Sequence, residues 1–217
     1  MDTTVSGIGV LDKIVAILRI VSEGPLSLRQ LVERTDLSRA TVHRLAQGME
    51  AVGLLRRGED GAYALGLALI GLGRAALEAY PLTAVAVPVL RRLRDETGES
   101  AQLYVAEEGE RLCVAAVDSN HELRTIVPVG ARLPMGVGSA GRVLSGLADR
   151  DGWLASVAER APGVASVSAP VWDDGQILAA VSVSGPIERV TKRPGQRFGD
   201  QVVAAARRIE AAMAHGL

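Results

Sequence analysis

The sequence predicts an α+β protein with an N-terminal winged helix-turn-helix and a C-terminal domain in which helices cover a mainly antiparallel sheet. Three observations predict this class. Apolar residues recur at helical spacing in the first 53 residues, two short apolar runs then flank an Asp-Gly turn, and period-two patterns dominate beyond residue 100. The predicted boundaries are 1–65 for the winged helix, 66–80 for a linker helix and 81–217 for the second domain.

The composition is that of an ordinary globular chain. Of the 217 residues, 48% are hydrophobic and 23% are charged, and the formal net charge is −1. A charge so close to zero gives no overall attraction for nucleic acid, so a DNA-binding surface has to come from local clustering or from dimerisation. The N-terminus has no signal-peptide pattern and no apolar run reaches 18 residues, so we expect a cytoplasmic protein with no membrane partner.

Residues suited to catalysis or to metal binding are sparse. The single cysteine, Cys113, lies in an apolar run and is expected to be a buried, unreactive thiol. The three histidines, His43, His121 and His215, are far apart in the chain, which supports neither a metal cage nor a Ser-His-Asp arrangement. We therefore expect no catalytic residue, no metal ion and no cofactor.

The first domain opens with two predicted helices. Apolar residues at helical spacing predict a helix over 10–22, which a Gly-Pro pair ends. Ser27 is predicted to cap the second helix, with Gln30 as its capping-box partner. This second helix is short and is predicted to end near Thr35.

A third helix is predicted between Ser38, which can cap it, and Gly53. Its predicted inner stripe consists of Val42, Leu45, Met49 and Val52. In a helix-turn-helix, the N-terminal half of the second helix enters the major groove, where Arg can pair with guanine and Gln with adenine. The predicted DNA-facing set is Ser38, Arg39, Ala40, Thr41, His43, Arg44 and Gln47. For the helices taken alone, a solvated face of a small bundle is the alternative.

A hairpin is predicted directly after the third helix. Its strands are Leu54–Arg57 and Ala62–Leu65, and Asp60-Gly61 between them is a strong turn signal. Such a hairpin forms a wing, and we expect its Arg56 and Arg57 to contact phosphates. The hairpin and the local basic charge favour a double-stranded DNA partner over the alternative, a winged helix that binds only protein.

The second domain is predicted to begin with a helix and to continue as a sheet. Period-two runs predict strands, two of which form a hairpin. The predicted strands are 100–106, 111–117, 123–129, 165–172 and 176–184. The helices that cover the sheet are predicted at 82–97 and 194–214.

The glycine-rich run Gly136–Gly141 matches the dinucleotide fingerprint G-x-G-x-x-G. A Pro-Met pair precedes it and no βαβ unit surrounds it, so a nucleotide site is not supported. The nucleophile-elbow pattern also fails, because Val137 replaces its first glycine. The run opens a helix predicted from Ser139 to Leu147, whose first N–H groups could bind an anion. A tight turn packed against the sheet is the equal alternative.

Several of these segments resemble IclR-type regulators, and the resemblance covers nearly the whole chain. It rests on Gly61–Gly66 in the wing, on Leu133-Pro134 and on Ser182–Pro186. More narrowly, three longer runs resemble actinobacterial regulators of leucine biosynthesis and amino-acid-dependent growth. These runs are Thr97–Tyr104, Pro162–Pro170 and Ser182–Arg189.

The resemblance implies a GAF-like effector domain and control of a nearby promoter, by repression or activation, through operator binding. It also implies homodimers that form largely through the N-terminal domain and often pair into tetramers. The small-molecule effector would lie among residues of the glycine-rich helix start, a loop and the last hairpin. The corresponding residues are Ser139, Ala140, Ser156, Ser166, Ser182 and Ser184. Period two places Ser182 and Ser184 on one strand face, and surface-exposed serines are the alternative.

Two features depart from the family pattern. Ser156 and Ser166 stand where some relatives carry an acidic residue and a cysteine, so an effector recognised by those groups is not expected. Relatives also have a further helical segment before the position of Gly152-Trp153, where this chain has only four residues after Leu147. Without that segment the pocket lacks one wall, and we expect a more open or less responsive domain.

Overall fold

The computed structural model describes residues 8–148 and 152–214. The chain forms two compact units, Met1–Ala76 and Leu77–Leu217. Each unit has its own hydrophobic core. None of the helices in the described ranges combines the length and the apolar composition that crossing a bilayer requires.

Four helices and a hairpin make up the described residues from 8 to Glu78. They are α1 (Gly9–Ser22), α2 (Leu28–Thr35), α3 (Arg39–Ala51), β1 (Leu55–Arg57), β2 (Tyr63–Leu65) and α4 (Ala68–Glu78). Both predicted caps are present. The backbone N–H of Gln30 donates to Ser27 Oγ and the Ser27 N–H donates to Gln30 Oε1, while the Thr41 N–H donates to Ser38 Oγ. These caps fix where α2 and α3 begin.

The core of the first unit lies between its first three helices and the hairpin. Ile17, Leu31, Val42 and Tyr63 are fully buried there. Val52, which the sequence pattern places on the inner face of α3, is instead 65% exposed. It lies at the C-cap, after the last turn of the helix, where the backbone has already left the helical path.

A six-stranded sheet dominates the second unit. The elements are α5 (Pro81–Thr97), β3 (Ser100–Glu107), β4 (Glu110–Val117), β5 (Arg132–Pro134), α6 (Ser139–Leu144), β6 (Leu154–Val157), β7 (Val164–Asp173), β8 (Gln176–Pro186), α7 (Ile187–Val190) and α8 (Pro194–Ala214). The strand order is β5-β4-β3-β8-β7-β6, and every neighbouring pair is antiparallel. The predicted α+β class, with a mainly antiparallel sheet, is confirmed.

The two faces of this sheet differ in chemistry. On one face, α5 and α8 pack over apolar side chains such as Leu103, Val167 and Val181. Side chains alternate along a strand, so the intervening positions of β3, β7 and β8 point to the opposite face. These positions carry Gln102, Ser166, Ser168, Ser182 and Ser184. The short helix α6 lies against this polar face through Ser139.

Two predicted elements of the second unit are wrong in extent or position. Residues 123–129 form no strand, since Pro128 has no N–H to donate, and Arg132–Pro134 instead takes the sheet edge beside β4. The helix predicted to reach Leu147 ends at Leu144. Gly146 closes it with a φ of +77°, in a conformation that glycine adopts without strain.

The sequence pattern does not predict β6 or α7. Each has four residues, which is too short for a period of two or of 3.6 to be distinguished from chance. β6 nevertheless matters for the site, because it pairs with β7 and brings Ser156 opposite Ser166.

Candidate functional site

The outer face of α3 is open to solvent. Arg39 and Arg44 are both exposed, and neither has an ion-pair partner within the part of the chain that the structure describes. Their guanidinium groups are therefore available to an external acceptor. Thr41 is half-buried, and the other exposed members of the predicted set are Ser38, Ala40, His43 and Gln47.

The hairpin adds two exposed arginines. The Nε of Arg57 donates to the Gly61 carbonyl at 3.3 Å, and its guanidinium lies 5.1 Å from the centroid of the Tyr63 ring. These contacts hold Arg57 against the wing, whereas the Arg56 side chain makes no hydrogen bond or ion pair to any described residue. The structure thus places all the residues predicted to contact DNA on α3, its cap and β1.

The structure brings the six residues implied for an effector pocket around one cavity in the second unit. The cavity is small, with a volume of about 20 Å³. It lies on the polar face of the sheet, beneath the start of α6. Its lining consists of Tyr104, Arg111, Gly138, Ser139, Ala140, Ser156, Arg160, Val164, Ser166, Ser182 and Ser184.

Serine hydroxyls are linked across the wall of this cavity. Ser139 Oγ lies 2.7 Å from Ser166 Oγ and 2.8 Å from Ser168 Oγ. Ser166 Oγ lies 2.9 Å from Ser156 Oγ, and Ser168 donates to Ser182 Oγ at 2.9 Å. This network connects α6, β6, β7 and β8, so a ligand that engages one hydroxyl can reorient the others.

A buried amide lies beside this network. Ser184 Oγ donates to Gln102 Oε1 at 3.1 Å, and Gln102 is fully buried. Its Nε2 finds no hydrogen-bond acceptor among the described residues. A buried amide nitrogen whose two N–H groups lack an acceptor is costly unless another group accepts from it.

The glycine-rich turn is packed closely and also makes a polar contact. A Cβ on Gly141 would overlap the Met135 carbonyl, which supports the tight-turn interpretation. At Gly138, where φ is +82°, the backbone N–H donates to Glu159 Oε2 at 3.1 Å. Glu159 also lies 3.2 Å from the Arg142 guanidinium. The N–H that precedes α6 is thus occupied by a carboxylate of the chain itself.

Sequence reasoning did not assign five of the residues that line the cavity, which are Tyr104, Arg111, Gly138, Arg160 and Val164, and it also missed Ser168 of the hydroxyl network. Ser168 could have been found, because it continues the period-two pattern of Ser166 along β7. Arg111, Tyr104 and Arg160 had no such signal. Arg111 is only 2% exposed, and its Nη1 donates to the carbonyls of Pro134 and Val137.

The expectations about cysteine and histidine concern Cys113 in the second unit and histidines in both units. Cys113 is fully buried beneath the polar face, and this burial raises the pKa of its thiol to about 12. Within residues 8–148 and 152–214, no three His, Cys, Asp or Glu side chains gather where they could bind a metal ion. His215, and residues 149–151 of the short stretch before Gly152, lie outside the described residues.

Family models match both units. One, described as the IclR helix-turn-helix domain, matches residues 10–59. A second, described as the bacterial transcriptional regulator IclR C-terminal, matches residues 74–151 and 148–211. The transcriptional repressor IclR of Escherichia coli strain K12 is 28% identical over 227 residues, which covers 87% of this chain and 83% of that protein. That relative carries the name of a repressor rather than of an enzyme.

Solved structures share the fold. An IclR family transcriptional regulator from Brucella abortus matches with a TM-score of 0.82 at 21% identity, over 94% of this chain and 92% of that one. An IclR homologue from Microbacterium hydrocarbonoxydans, complexed with 4-hydroxybenzoate, matches with a TM-score of 0.77 at 24% identity, over 93% and 98%. With both family models matched, the chain belongs to the IclR family of DNA-binding bacterial transcriptional regulators.

Proposed function

We propose that this regulator binds double-stranded operator DNA through residues 1–65, and a small metabolite through residues 81–217, with 66–80 as the linker helix. We further propose that it controls amino-acid biosynthesis genes, in particular those for leucine. The observation that carries the DNA-binding role is the exposed basic face of α3, where Arg39 and Arg44 have no ion-pair partner among the described residues.

The residues of this face have distinct proposed roles. Arg39, Thr41, His43 and Arg44 contact base edges in the major groove, where an arginine can pair with the O6 and N7 of guanine. Ala40 permits close approach, and the remaining contacts come from Ser38 and Gln47. Arg56 and Arg57 contact phosphates beside the groove, which contributes affinity but no sequence preference.

A homodimer formed through the first unit is the proposed DNA-binding species. No residue of α4 is buried, and its Ile70 and Leu72, like Leu67 just before the helix, are large apolar side chains exposed to solvent. On α1, Val10 and Leu11 are exposed as well. Apolar surface of this extent marks an interaction site, and two copies of α3 can then read two half-sites. Pairing of dimers into tetramers rests on the family resemblance alone.

The cavity of the second unit is the proposed effector site, with Ser139, Ala140, Ser156, Ser166, Ser182 and Ser184 in its lining. The related Microbacterium hydrocarbonoxydans protein was crystallised with 4-hydroxybenzoate, which supports a small-molecule role for this fold. Effector binding would act by changing the geometry between the two recognition helices of the dimer. The operator then responds because its half-site spacing is fixed by the DNA helical repeat.

Binding to promoter DNA tests this function. The purified protein is titrated onto the DNA upstream of its own gene and of neighbouring leucine-biosynthesis genes, over a salt series and with unrelated competitor DNA. We expect specific binding that weakens steeply with salt, because released counterions drive phosphate contacts. Weak binding that is indifferent to sequence would instead favour a module that binds protein or small molecules.

The Arg44→Ala variant tests the placement of α3. Loss of a bidentate base contact should weaken operator binding about tenfold or more and relax the sequence preference at one position. The control is Arg91→Ala, which removes the same charge from an exposed site on α5. Operator affinity that survives Arg44→Ala at fixed salt would show that α3 is not the recognition helix as placed here.

A further inference from the structure

We infer that residues 158–163, the loop between β6 and β7, form a gate over the cavity of the second unit, and that the Glu159 carboxylate holds this gate closed. Residues 158–163 are called the gate loop below. The inference rests on the proposed effector role of the cavity, and it concerns how a molecule reaches the cavity rather than which molecule binds. It gives Glu159 a positioning role that the sequence pattern does not predict.

The cavity is closed in this conformation of the chain. Its volume is about 20 Å³, whereas a single water molecule needs roughly 10–15 Å³ of such space. A metabolite of several heavy atoms therefore cannot enter unless one of the walls moves.

The sheet and α6 are walls that the structure holds in place. The strands β3, β7 and β8 each pair with a strand on both sides, so none of them can shift without breaking a ladder of hydrogen bonds. Ser139 at the start of α6 is bound to the Ser166 and Ser168 hydroxyls of β7. The gate loop contributes Arg160 to the lining and is held by far fewer contacts.

One side chain ties the gate loop across the cavity to the glycine-rich turn. The Gly138 N–H donates to Glu159 Oε2 at 3.1 Å, and Glu159 Oε1 lies 3.2 Å from Arg142 Nη2. Apart from one backbone bond at the base of the loop, residues 159–162 make no other hydrogen bond or ion pair with the described residues. The Glu159 side chain is 36% exposed, so water competes for both contacts and opening costs little.

The backbone provides a pivot at each end of the gate loop. Ala158 has a φ of +58°, a left-handed conformation in which its Cβ is crowded, and Gly163 has a φ of +77°. The Ala158 N–H donates to the Val164 carbonyl at 2.8 Å, and the Ile187 N–H donates to the Gly163 carbonyl at 2.9 Å. Both ends are therefore fixed, while the residues between them can turn about these two positions.

Open space lies on the other side of the gate loop. A surface groove of about 420 Å³ adjoins the cavity, and Arg160 and Val164 line both spaces. The opposite side of the groove is anchored, because Arg189 Nη2 donates to the Leu123 carbonyl at 2.8 Å. Movement of Arg160 into the groove would join the two spaces and give a molecule in solution a path to the serine hydroxyls.

A role of Glu159 as a structural brace alone makes a different prediction. A brace contributes to the free energy of unfolding, and its loss leaves the cavity as closed as before in the molecules that remain folded. A gate contact instead controls how often the folded protein opens. The rate at which a reagent reaches the cavity separates these two roles.

The test measures that rate with methyl methanethiosulfonate, a small neutral reagent for thiols, and mass spectrometry. Ser166→Cys places a thiol in the cavity lining, and the native Cys113 is fully buried and should stay unlabelled. Adding Glu159→Ala to Ser166→Cys should raise the labelling rate about fivefold or more, because it removes both contacts of the carboxylate. Glu159→Gln can still accept from the Gly138 N–H and should give a smaller increase.

The matched control is Glu188→Ala in the same Ser166→Cys background. Glu188 is an exposed carboxylate that lines the groove and makes no hydrogen bond or ion pair with the described residues. Its removal should change the labelling rate by less than about twofold. Equal rates in Glu159→Ala and Glu188→Ala would overturn the role of Glu159. Labelling of Ser166→Cys as fast as that of Ser22→Cys, whose position is exposed, would show that the cavity is not closed.

Hydrogen exchange of the wild-type protein tests the gate without any substitution, in case a variant fails to fold. The Gly138 amide is bonded only to Glu159 among the described residues, so each opening of the gate exposes it. We expect it to exchange about tenfold or more faster than the amides in the centre of β7 and β8. Exchange as slow as in those strands would mean that the loop opens only when the unit unfolds, which would overturn the gate.

The promoter titration separates this inference from the proposed function. Labelling controlled by Glu159 in a protein that binds no promoter DNA specifically leaves the gate standing and counts against the regulator. Specific operator binding together with labelling that is indifferent to Glu159 supports the regulator and overturns the gate.

Discussion

Two charged side chains buried in the second unit, Glu99 and Arg111, differ in whether an oppositely charged residue pairs with them. Glu99 is 2% exposed and forms a two-point ion pair with Arg189, at 2.6 Å from Oε1 to Nε and 2.9 Å from Oε2 to Nη2. The hydrogen bonds to Glu99 raise the pKa of Arg189. Arg111 is equally buried, and among the described residues its acceptors are the backbone carbonyls of Pro134 and Val137. The charges of Glu99 and Arg189 thus compensate each other, whereas no carboxylate among the described residues pairs with Arg111.

Cys113 leads to a prediction about reactivity. Its burial raises the pKa of the thiol to about 12, so at pH 8 the reactive thiolate is only about one part in ten thousand. We expect no reaction of the native protein with Ellman's reagent at pH 8, and reaction of one thiol per chain in denaturant. Rapid labelling of the native protein would contradict the burial of this side chain.

The same shift of the Cys113 pKa gives stability a pH dependence. The folded-state value lies above the ordinary value of 9.0, so the contribution of the neutral thiol is fully present below pH 9 and is lost as the pH rises toward 12. Cys113→Ala should reduce that alkaline loss of unfolding free energy.

Sequence patterns predicted the helix caps and the exposed basic face of α3, but they did not predict that Arg111 would line the cavity. Ser27 and Ser38 each accept a hydrogen bond from a backbone N–H only three residues later, so the local sequence is sufficient to identify them as caps. Arg111 lies near the start of β4, where a charged residue is usually solvent-exposed. It is buried because the glycine-rich turn, more than 20 residues later, folds over it. The period-two pattern of a strand shows on which face of the sheet a side chain lies. It does not show which segment of the chain covers that face.

At the scale of elements, α6 depends on close backbone packing at one glycine. A Cβ on Gly141 would overlap both the Met135 carbonyl and the Arg111 guanidinium. Gly141→Ala should therefore lower the free energy of unfolding by about 1–3 kcal/mol, as overpacking does. The measurement is urea denaturation followed by circular dichroism.

Gly136→Ala is the matched control for this prediction. Gly136 belongs to the same glycine-rich run, has open space where a Cβ would lie, and has no positive φ. Equal stability of the two variants would show that the turn is not packed as described.

The prediction of a strand at 123–129 failed because a residue can be buried without its backbone pairing in a sheet. Val127 is buried against Cys113 and the α6 side of the sheet, although its segment forms no strand. The apolar pattern of 123–129 therefore holds only in part, because Val127 is buried whereas Leu123, Ile126 and Val129 are exposed and the segment pairs with no strand. The hairpin of β7 and β8 was predictable because its turn residues and both of its strands are adjacent in the chain.

At the scale of the whole molecule, the two cores explain why the sequence predicts the architecture better than the ligand. The core around Leu31 and Tyr63 and the core around Leu103 and Val167 each follow from local periodicity. The net charge of −1 conceals a basic α3 face, because acidic residues elsewhere balance it. Structures with 21–24% identity share the fold, so the fold alone does not specify an effector. In the proposed effector site, the side chains that line the cavity would have to do so.

The apolar surface of α4 leads to a prediction about assembly. Ile70 is 68% exposed on a helix with no buried residue, and Leu67 and Leu72 beside it are exposed too. If two copies associate through this surface, Ile70→Glu places two like charges in a desolvated interface, which is strongly unfavourable. We expect the variant to shift from dimer to monomer in size-exclusion chromatography with light scattering. Its operator affinity should fall as well, because a monomer reads one half-site.

Leu123→Glu is the control that locates the interface. Leu123 is 70% exposed, and it lies in the second unit. Introduction of the same charge there should leave the dimer intact if association is through the first unit, although a tetramer could separate into dimers. A monomeric Leu123→Glu variant beside a dimeric Ile70→Glu variant would place the dimer contact in the second unit. Effector binding would then lie close to the subunit interface, and the coupling to DNA would have to pass from that interface to the winged helices.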